Sequence, residues 1–490
     1  MGIVRNQSIK NSISFYIGMA IGAINTVIIY PNVFKDNPEH FGLIQILIAY
    51  AIVVSTFTNL GIPKVFVRFF PKINQKGQLY FLSLITPLLG FSLALISYFL
   101  FKEQVFELLN ASKLLKVNFF YIILLVFFIG FYDVLTAVSR SFLSAAVPIF
   151  INEVFLKVYS MIALLLHWFG YLDFTNFLQI YLFGYFLKFT ILFFIQFMND
   201  RFSLTFSVND LRLKEILSFG LFVLVGGTSL MLITRIDMMM IGSMLDLEQV
   251  AFYTVAFFIG NAIKVPSKSI AAISSPLVAK SLEKKDYKET QSLYSKSSIN
   301  QLIIGGILFL CIWVNIDDIF SLLPVKFQGG KWVVFYIAIA QLFNMVTGIN
   351  STIITYSKYY RYDLYTNIFL VFITILSNYF LIQEYGIDGA AMATALSILL
   401  FNLIRLVLIK VKMDMHPFSF QTIKTIFLIL IFYFAFAYYF NNIFYSSYAF
   451  VDIICKSLVI CILFITAVMY FSLSDDIKKF VIEIKKKFFR

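Results

Sequence analysis

The sequence has little charge. Asp, Glu, Lys and Arg together make up 13% of its 490 residues, against about 25% in an ordinary soluble domain. Hydrophobic residues fill 60%, and the mean hydropathy is +0.87. A water-soluble fold is excluded, because it could not cover so much apolar surface with so few polar groups. Cysteine is scarce as well. Cys311, Cys455 and Cys461 fall in or near apolar runs, which gives neither a disulfide framework nor the spacing of a metal cluster. The three histidines, His40, His167 and His416, are scattered over loops and run ends, so no histidine-centred catalytic group forms. No polar connection is long enough for a soluble domain, and no small-residue cleavage site follows the first apolar run.

What is present is a series of long apolar segments, rich in Phe (59) and Tyr (28). A helix needs roughly 20 apolar residues to cross the hydrocarbon of a bilayer. By that rule about fourteen spans are predicted, near 11–30, 41–61, 79–101, 117–138, 147–168, 176–197, 216–243, 249–279, 297–316, 331–356, 364–383, 388–409, 425–444 and 449–472. A membrane barrel is excluded by continuity such as "IFLILIFYFAFAYYF" (426–440), since barrel strands alternate over about 10 residues. The fold class is therefore an all-α integral membrane protein.

The net charge of +13 is topological rather than a nucleic-acid footprint. With the N-terminus in the cytoplasm, the inside segments carry 26 Lys and Arg and the outside segments six, a strong positive-inside bias. Both termini are then expected in the cytoplasm. The basic tail "IKKFVIEIKKKFF" (477–489) is amphipathic and is expected on the anionic inner leaflet.

Two stretches repeat. "DNPEHFGLIQILIAY" (36–50) and "DLEQVAFYTVAFFIG" (246–260) share an acidic loop, an aromatic and an apolar helix. Asn152 to Gly170 and Asn367 to Gly386 are separated by 18 and 19 residues, each ending in a turn. Same-direction copies predict a parallel repeat about an axis normal to the membrane. The lobes are placed at 1–200 and 201–410, with two further helices and the tail in 411–490.

Ionisable groups inside spans are costly and are expected to face protein or water. Seven are basic (Lys157, Lys188, Arg235, Lys264, Lys268, Arg405, Lys456) and four acidic (Asp133, Glu153, Asp237, Asp452). Asn261, Lys264 and Lys268 stand at i, i+3 and i+7, sharing one helix face. Lys264 lies about 22 Å along its helix, too deep to reach the outer surface, while Lys268 could reach the inner one. Pro266 should kink the helix there. Glu153 and Lys157, like Asp452 and Lys456, are spaced to neutralise each other on one helix. Lys188 has no carboxylate on its own helix, and Arg405 is expected to reach the inner rim. Arg235 and Asp237, two residues apart, point about 200° apart and must find different partners; an outer-interface anchor and an inward-facing cation are both open for Arg235. Polar groups without charge, Asn25 in the first span and Asn59 in the second, are either helix glue or lining.

The basic start "RNQSIKNSISFYIG" (5–18), the "FG" at 41–42, "TRIDMMMIGSML" (234–245) and "YGIDGAAMATALS" (385–397) resemble the Wzx-like oligosaccharide flippases of the multidrug/oligosaccharidyl-lipid/polysaccharide exporter superfamily. The resemblance implies two six-helix bundles in a V, two extra helices, and alternating access through a cationic central cavity. It implies a cargo of undecaprenyl-pyrophosphate-linked oligosaccharide, such as an O-antigen repeat unit, moved from the inner to the outer leaflet. Polysaccharide polymerase and chain-length regulator are implied partners, alongside membrane lipids and without nucleic acid. Arg235, Lys264 and Lys268 best match the basic residues expected to meet the pyrophosphate; Asn261, Lys188, Lys157, Asn25 and Asn59 complete the candidate substrate site. No cofactor is expected. The membrane potential could reset a cationic cavity, or Na+ or H+ could couple at Asp237, Glu153 or Asp133. The rivals are a cation or drug antiporter of the same superfamily, whose lumen should be led by carboxylates, and a flippase for a peptidoglycan precursor. A membrane enzyme is disfavoured for want of a placed catalytic group or a large outer loop.

Overall fold

The computed structural model describes residues 2–73, 76–199, 205–206, 212–443 and 449–488. Among them every regular element is a helix. Contacts divide the chain into two compact units, Met1–Thr254 and Val255–Arg490. The lobe boundary expected at 200–201, together with Arg201 of the inside count, borders or lies in a stretch outside the described residues, as do the side chains of the tail lysines beyond Ile482.

In the first unit α1 (Gly2–Ala23) continues through a π-helical Ile24–Ile29 to Val33. It is followed by α2 (Pro38–Thr58), the short α3 (Ile62–Phe69), α4 (Lys76–Leu108), α5 (Phe120–Ser141), α6 (Ala146–Trp168), α7 (Phe174–Met198) and α8 (Leu213–Met244). Local chemistry sets several of the ends. Pro38 occupies the first turn of α2, where its missing N–H costs nothing. Asp173 caps α7 by accepting from the Asn176 amide at 2.9 Å. Gly170, at φ +79°, makes the turn after α6, which is the "FGYLDF" turn read in the sequence.

The α2 helix is the centre of this unit. Phe41, Leu43, Ile44, Ile46, Leu47, Ala49 and Ala51 are fully buried, packed against α5 and α8. Lipid tails are as apolar as leucine, so close packing rather than water exclusion holds such helices together. Two glycines permit it. A Cβ on Gly42 would lie 1.7 Å from the Leu247 carbonyl oxygen, and one on Gly242 would lie 2.0 Å from Ile46 Cδ1.

The second unit begins within α9 (Leu247–Glu283) and adds α10 (Tyr287–Val314), α11 (Ile316–Ser321), α12 (Lys331–Val346), α13 (Asn350–Tyr356) and α14 (Tyr360–Met413). It closes with α15 (Phe420–Ile443), α16 (Ala449–Tyr470) and α17 (Asp475–Phe488). α14 takes in two predicted spans. It is broken at Gly386, whose φ of 58° and ψ of −134° no other residue type adopts easily. A knot of asparagines ties α14 to its neighbours: Asn402 Oδ1 accepts from Thr347 and Asn350, each at 2.9 Å, and its amide donates to Asn344. α15 and α16 pack on α10 and share a buried core there, with Phe309, Ile429, Ile460 and Phe464. Ser474 and Asp476, at the start of α17, hydrogen-bond Asn300 of α10.

Among the described residues eleven helices are long and apolar enough to cross a membrane, or twelve if α8, bent by 48° between Gly227 and Met231, is one span.

Candidate functional site

Most of the intramembrane charges gather in two places, one in each unit, and Lys456 pairs with Asp318 apart from both. In the first, α6 opens a π-helical stretch at Ile151–Phe155, beside α1 and its own π-helical stretch. A π turn carries one extra residue and re-aims the side chains around it, often where function lies. Asn25 sits in one stretch, Asn152 and Glu153 in the other. Lys157 Nζ donates to Glu153 Oε2 at 2.9 Å and to the Gly18 carbonyl at 3.0 Å. Asn25 donates to the Lys157 carbonyl at 3.0 Å. Asn152 donates to Glu153 Oε1 at 3.1 Å and accepts from Lys188 Nζ at 3.2 Å. Three helices, α1, α6 and α7, are thus joined through one carboxylate.

Lys188 is buried, 4% exposed. Its ammonium lies 4.4 Å and 4.8 Å from the ring centres of Tyr132 and Tyr185, a cation–π cradle. Among the described residues it forms no ion pair. It does feel the fields of Asp133 and Glu153. Asp133 is exposed although it lies in the middle of α5. The phenol of Tyr132 donates to the Pro148 carbonyl at 2.6 Å, which fixes one ring of the cradle.

Arg235 and Asp237 do part company. Asp237 is buried and accepts from the Tyr253 hydroxyl at 2.9 Å. Arg235 is half-buried, interacts with Tyr185, and has no hydrogen bond or ion pair among the described residues. Asn59 stands apart from this network. It is buried at the end of α2 and donates to the Gly130 carbonyl at 3.3 Å, a joint between α2 and α5.

In the second unit, α9 is not one uninterrupted α-helix. Residues Ala262–Lys264 wind as 3-10, and Pro266 sits in the first turn of the α-helical segment Val265–Glu283. The proline has no N–H to offer the preceding turn, so the helix restarts there instead of running through. Asn261 and Lys264 are half-buried and Lys268 is exposed. Lys264 feels both Lys268 and Arg405. Neither lysine has a hydrogen bond or an ion pair among the described residues.

Arg405 corrects its expectation. It does not reach for the rim: it is 6% exposed, and Nε and Nη2 donate to Asp363 Oδ1 at 3.0 and 2.6 Å. Its guanidinium also stacks 3.6 Å from the Phe401 ring centre. The reason is a partner 42 residues away on the other half of α14, which helix spacing could not disclose. Lys456 likewise finds Asp318 of α11 at 2.6 Å rather than resting on Asp452 alone. The Tyr132–Tyr185 cradle and Asp363 were missed altogether. Tyr185 and Lys188 at i, i+3 carried a legible signal; the others had none.

Chemically, the second unit brings Lys264 within the fields of Lys268 and Arg405, of which Arg405 is paired with Asp363, and the first holds a buried ammonium and a guanidinium that form no ion pair among the described residues. Such groups suit charge-assisted bonds to an anion, phosphate above all. Among the described residues no three His, Cys, Asp or Glu side chains are grouped to hold a metal ion.

Residues 7–281 match the polysaccharide biosynthesis protein family. The chain belongs to that family. Residues 224–380 also match the MatE family. No curated protein matches the sequence. Among solved structures, the lipid II flippase MurJ in an inward closed conformation aligns with a TM-score of 0.76 at 15% identity, covering 95% of this chain and 99% of that one. An inward-facing multidrug resistance MATE transporter of the MOP superfamily aligns at 0.61 and 14%, covering 82% and 98%. The Vibrio cholerae MATE transporter VcmN aligns at 0.59 and 10%, covering 84% and 98%. The chain is thus a multi-pass helical membrane protein of the polysaccharide biosynthesis family, and its fold is the one that these flippase and transporter structures share.

Proposed function

We propose that the protein is a flippase for a polyprenyl-pyrophosphate-linked oligosaccharide, carrying its head group from the inner to the outer leaflet of a bacterial inner membrane by alternating access. The reading is supported most by Arg235, Lys264 and Lys268, basic groups within apolar helices that have no counter-ion among the described residues. An unpaired cation in a membrane is expensive and is kept where it has work to do. A pyrophosphate supplies what these groups lack, while the polyprenyl tail stays in lipid. Lys188, Lys157, Asn261 and Asn25 are the next candidates to meet the head group, and Asp133, Glu153 and Asp237 are the candidates for a coupling Na+ or H+. Asn59, held in its helix joint, is the weakest member of the set. The positive-inside bias supports cytoplasmic termini, and the family name supports a polysaccharide precursor as cargo. Polymerase and chain-length regulator remain partners by implication of that pathway step.

The test is deletion of the gene followed by analysis of lipid-linked oligosaccharides. The expected result is their build-up on the inner leaflet and rescue by the native gene. Lys264→Ala with Lys268→Ala should insert at normal levels and fail to rescue. Normal transport by that double variant would remove these two lysines from the site; normal outer-leaflet delivery in the deletion strain would remove the function.

A cation antiporter is favoured by one observation, the MatE match over 224–380. It predicts a drug-sensitivity phenotype on deletion and unchanged lipid-linked sugars.

A further inference from the structure

The sequence offered its cysteines no role, yet folding brings two of them together. Cys311, near the end of α10, and Cys461, in the middle of α16, stand with their sulfurs 3.8 Å apart. Both are free and half-buried, and Cys455 is the third free thiol. The helices that carry them are tied together beside the pair, at the end of α10 and the start of α16. Asn315 Nδ2 bonds Ser457 Oγ at 3.2 Å and the Cys311 carbonyl at 2.7 Å. Lys456 Nζ bonds Asp318 Oδ2 at 2.6 Å. The Cys311 thiol also lies 4.0 Å from the Ser457 carbonyl oxygen. A disulfide needs its sulfurs about 2.0 Å apart. Closing the remaining gap asks for side-chain rotation in two residues whose backbones are already fixed.

We propose that Cys311 and Cys461 are a modification site: a thiol pair that a small neutral peroxide converts into a disulfide stapling α16 to α10. The step is a two-electron oxidation. One thiolate sulfur attacks a peroxide oxygen, the O–O bond breaks, and a sulfenic acid and water form. The neighbouring thiol then attacks that sulfur, the S–O bond breaks, and a second water leaves with the proton. Two thiols and one hydrogen peroxide give one disulfide and two waters. The neutral oxidant suits the place, since hydrogen peroxide can enter an apolar helix interface that a charged disulfide reagent cannot. The closeness of the second thiol favours the disulfide over further oxidation. α16 lies beyond both family matches, whereas α10 lies inside the second. The bond would therefore fasten a helix outside both family matches to one that lies inside the second.

The experiment uses the full-length protein purified in detergent and titrated with hydrogen peroxide. It is then denatured, its remaining thiols are counted with a maleimide, and its mass is measured. Two of the three thiols should disappear together, with a fall of about 2 Da that dithiothreitol reverses. Cys455→Ser should behave the same way, losing both of its thiols. Cys311→Ser should form no internal disulfide and show no fall of about 2 Da through the same exposure. Three results overturn the proposal: survival of all three thiols in peroxide that oxidises free cysteine, a fall of about 2 Da in Cys311→Ser that dithiothreitol reverses, and a gain of about 32 Da per thiol that dithiothreitol does not reverse. A reducible link between two chains in place of the internal one also overturns it.

Discussion

Arg405 shows what a single buried charge demands. Its guanidinium is satisfied by Asp363 on one side and faces Phe401 on the other. Removing one partner of such a pair strands the other, at a cost of about 3–5 kcal/mol, whereas replacing both with apolar groups is close to neutral. Asp363→Ala should therefore lower the melting temperature in detergent sharply, and Asp363→Ala combined with Arg405→Met should recover much of the loss. A double variant as unstable as the single one would show that the ion pair is not what Asp363 contributes. Glycines divide in the same way. At Gly42 an added methyl meets a backbone carbonyl that cannot move aside, while at Gly329 it meets open space. Gly42→Ala should reduce folded yield severely and Gly329→Ala should leave it unchanged, as read by monodisperse protein after gel filtration.

At the scale of helices, the legible and the illegible parts follow from how far each signal reaches along the chain. Apolar run length is local, and so the predicted spans fall on helices, with the turn at "YGIDGA" appearing as the break at Gly386. The phrases that pointed to the family proved to be packing. Gly42 of "FG", Gly242 of the "TRIDMMMIGSML" stretch and Gly389 of "YGIDGAAMAT" each admit a neighbour that a side chain would exclude. The chemistry was harder to read. The link from Lys188 through Asn152 and Glu153 to Lys157 spans two helices, and its π-helical geometry leaves no pattern in composition. Glu153 and Lys157 were legible because four residues separate them. Lys157 also donates to the Gly18 carbonyl. Lys157→Met should thus destabilise more than Glu153→Gln, and a double-mutant cycle should assign the pair itself no more than about 1 kcal/mol, given its partial exposure. Equal losses from the two single variants would mean that the bond to α1 contributes nothing.

For the molecule as a whole, the uneven distribution of its basic residues carries a topological prediction. In a background without native cysteines, cysteine placed at Lys284 or Lys412 should react with an impermeant maleimide only from the cytoplasmic side. Cysteine at Lys326 should react only from the opposite side. Labelling of all three positions from one side would break the alternation of sides on which the orientation rests. Both units bear on the proposed transport, because the basic groups that form no ion pair among the described residues occur in each: Arg235 belongs to Met1–Thr254, Lys264 and Lys268 to Val255–Arg490.

The final hairpin, α15 and α16, gives the chain an indivisible end. Ile429 and Phe464 press against Gly306, and Lys456 neutralises Asp318. Trimming the protein back to Met413 would bare the flank of α10 and leave Asp318 without the ammonium that pairs with it. The hairpin is thus part of the packed body of its unit and not an optional extension of it.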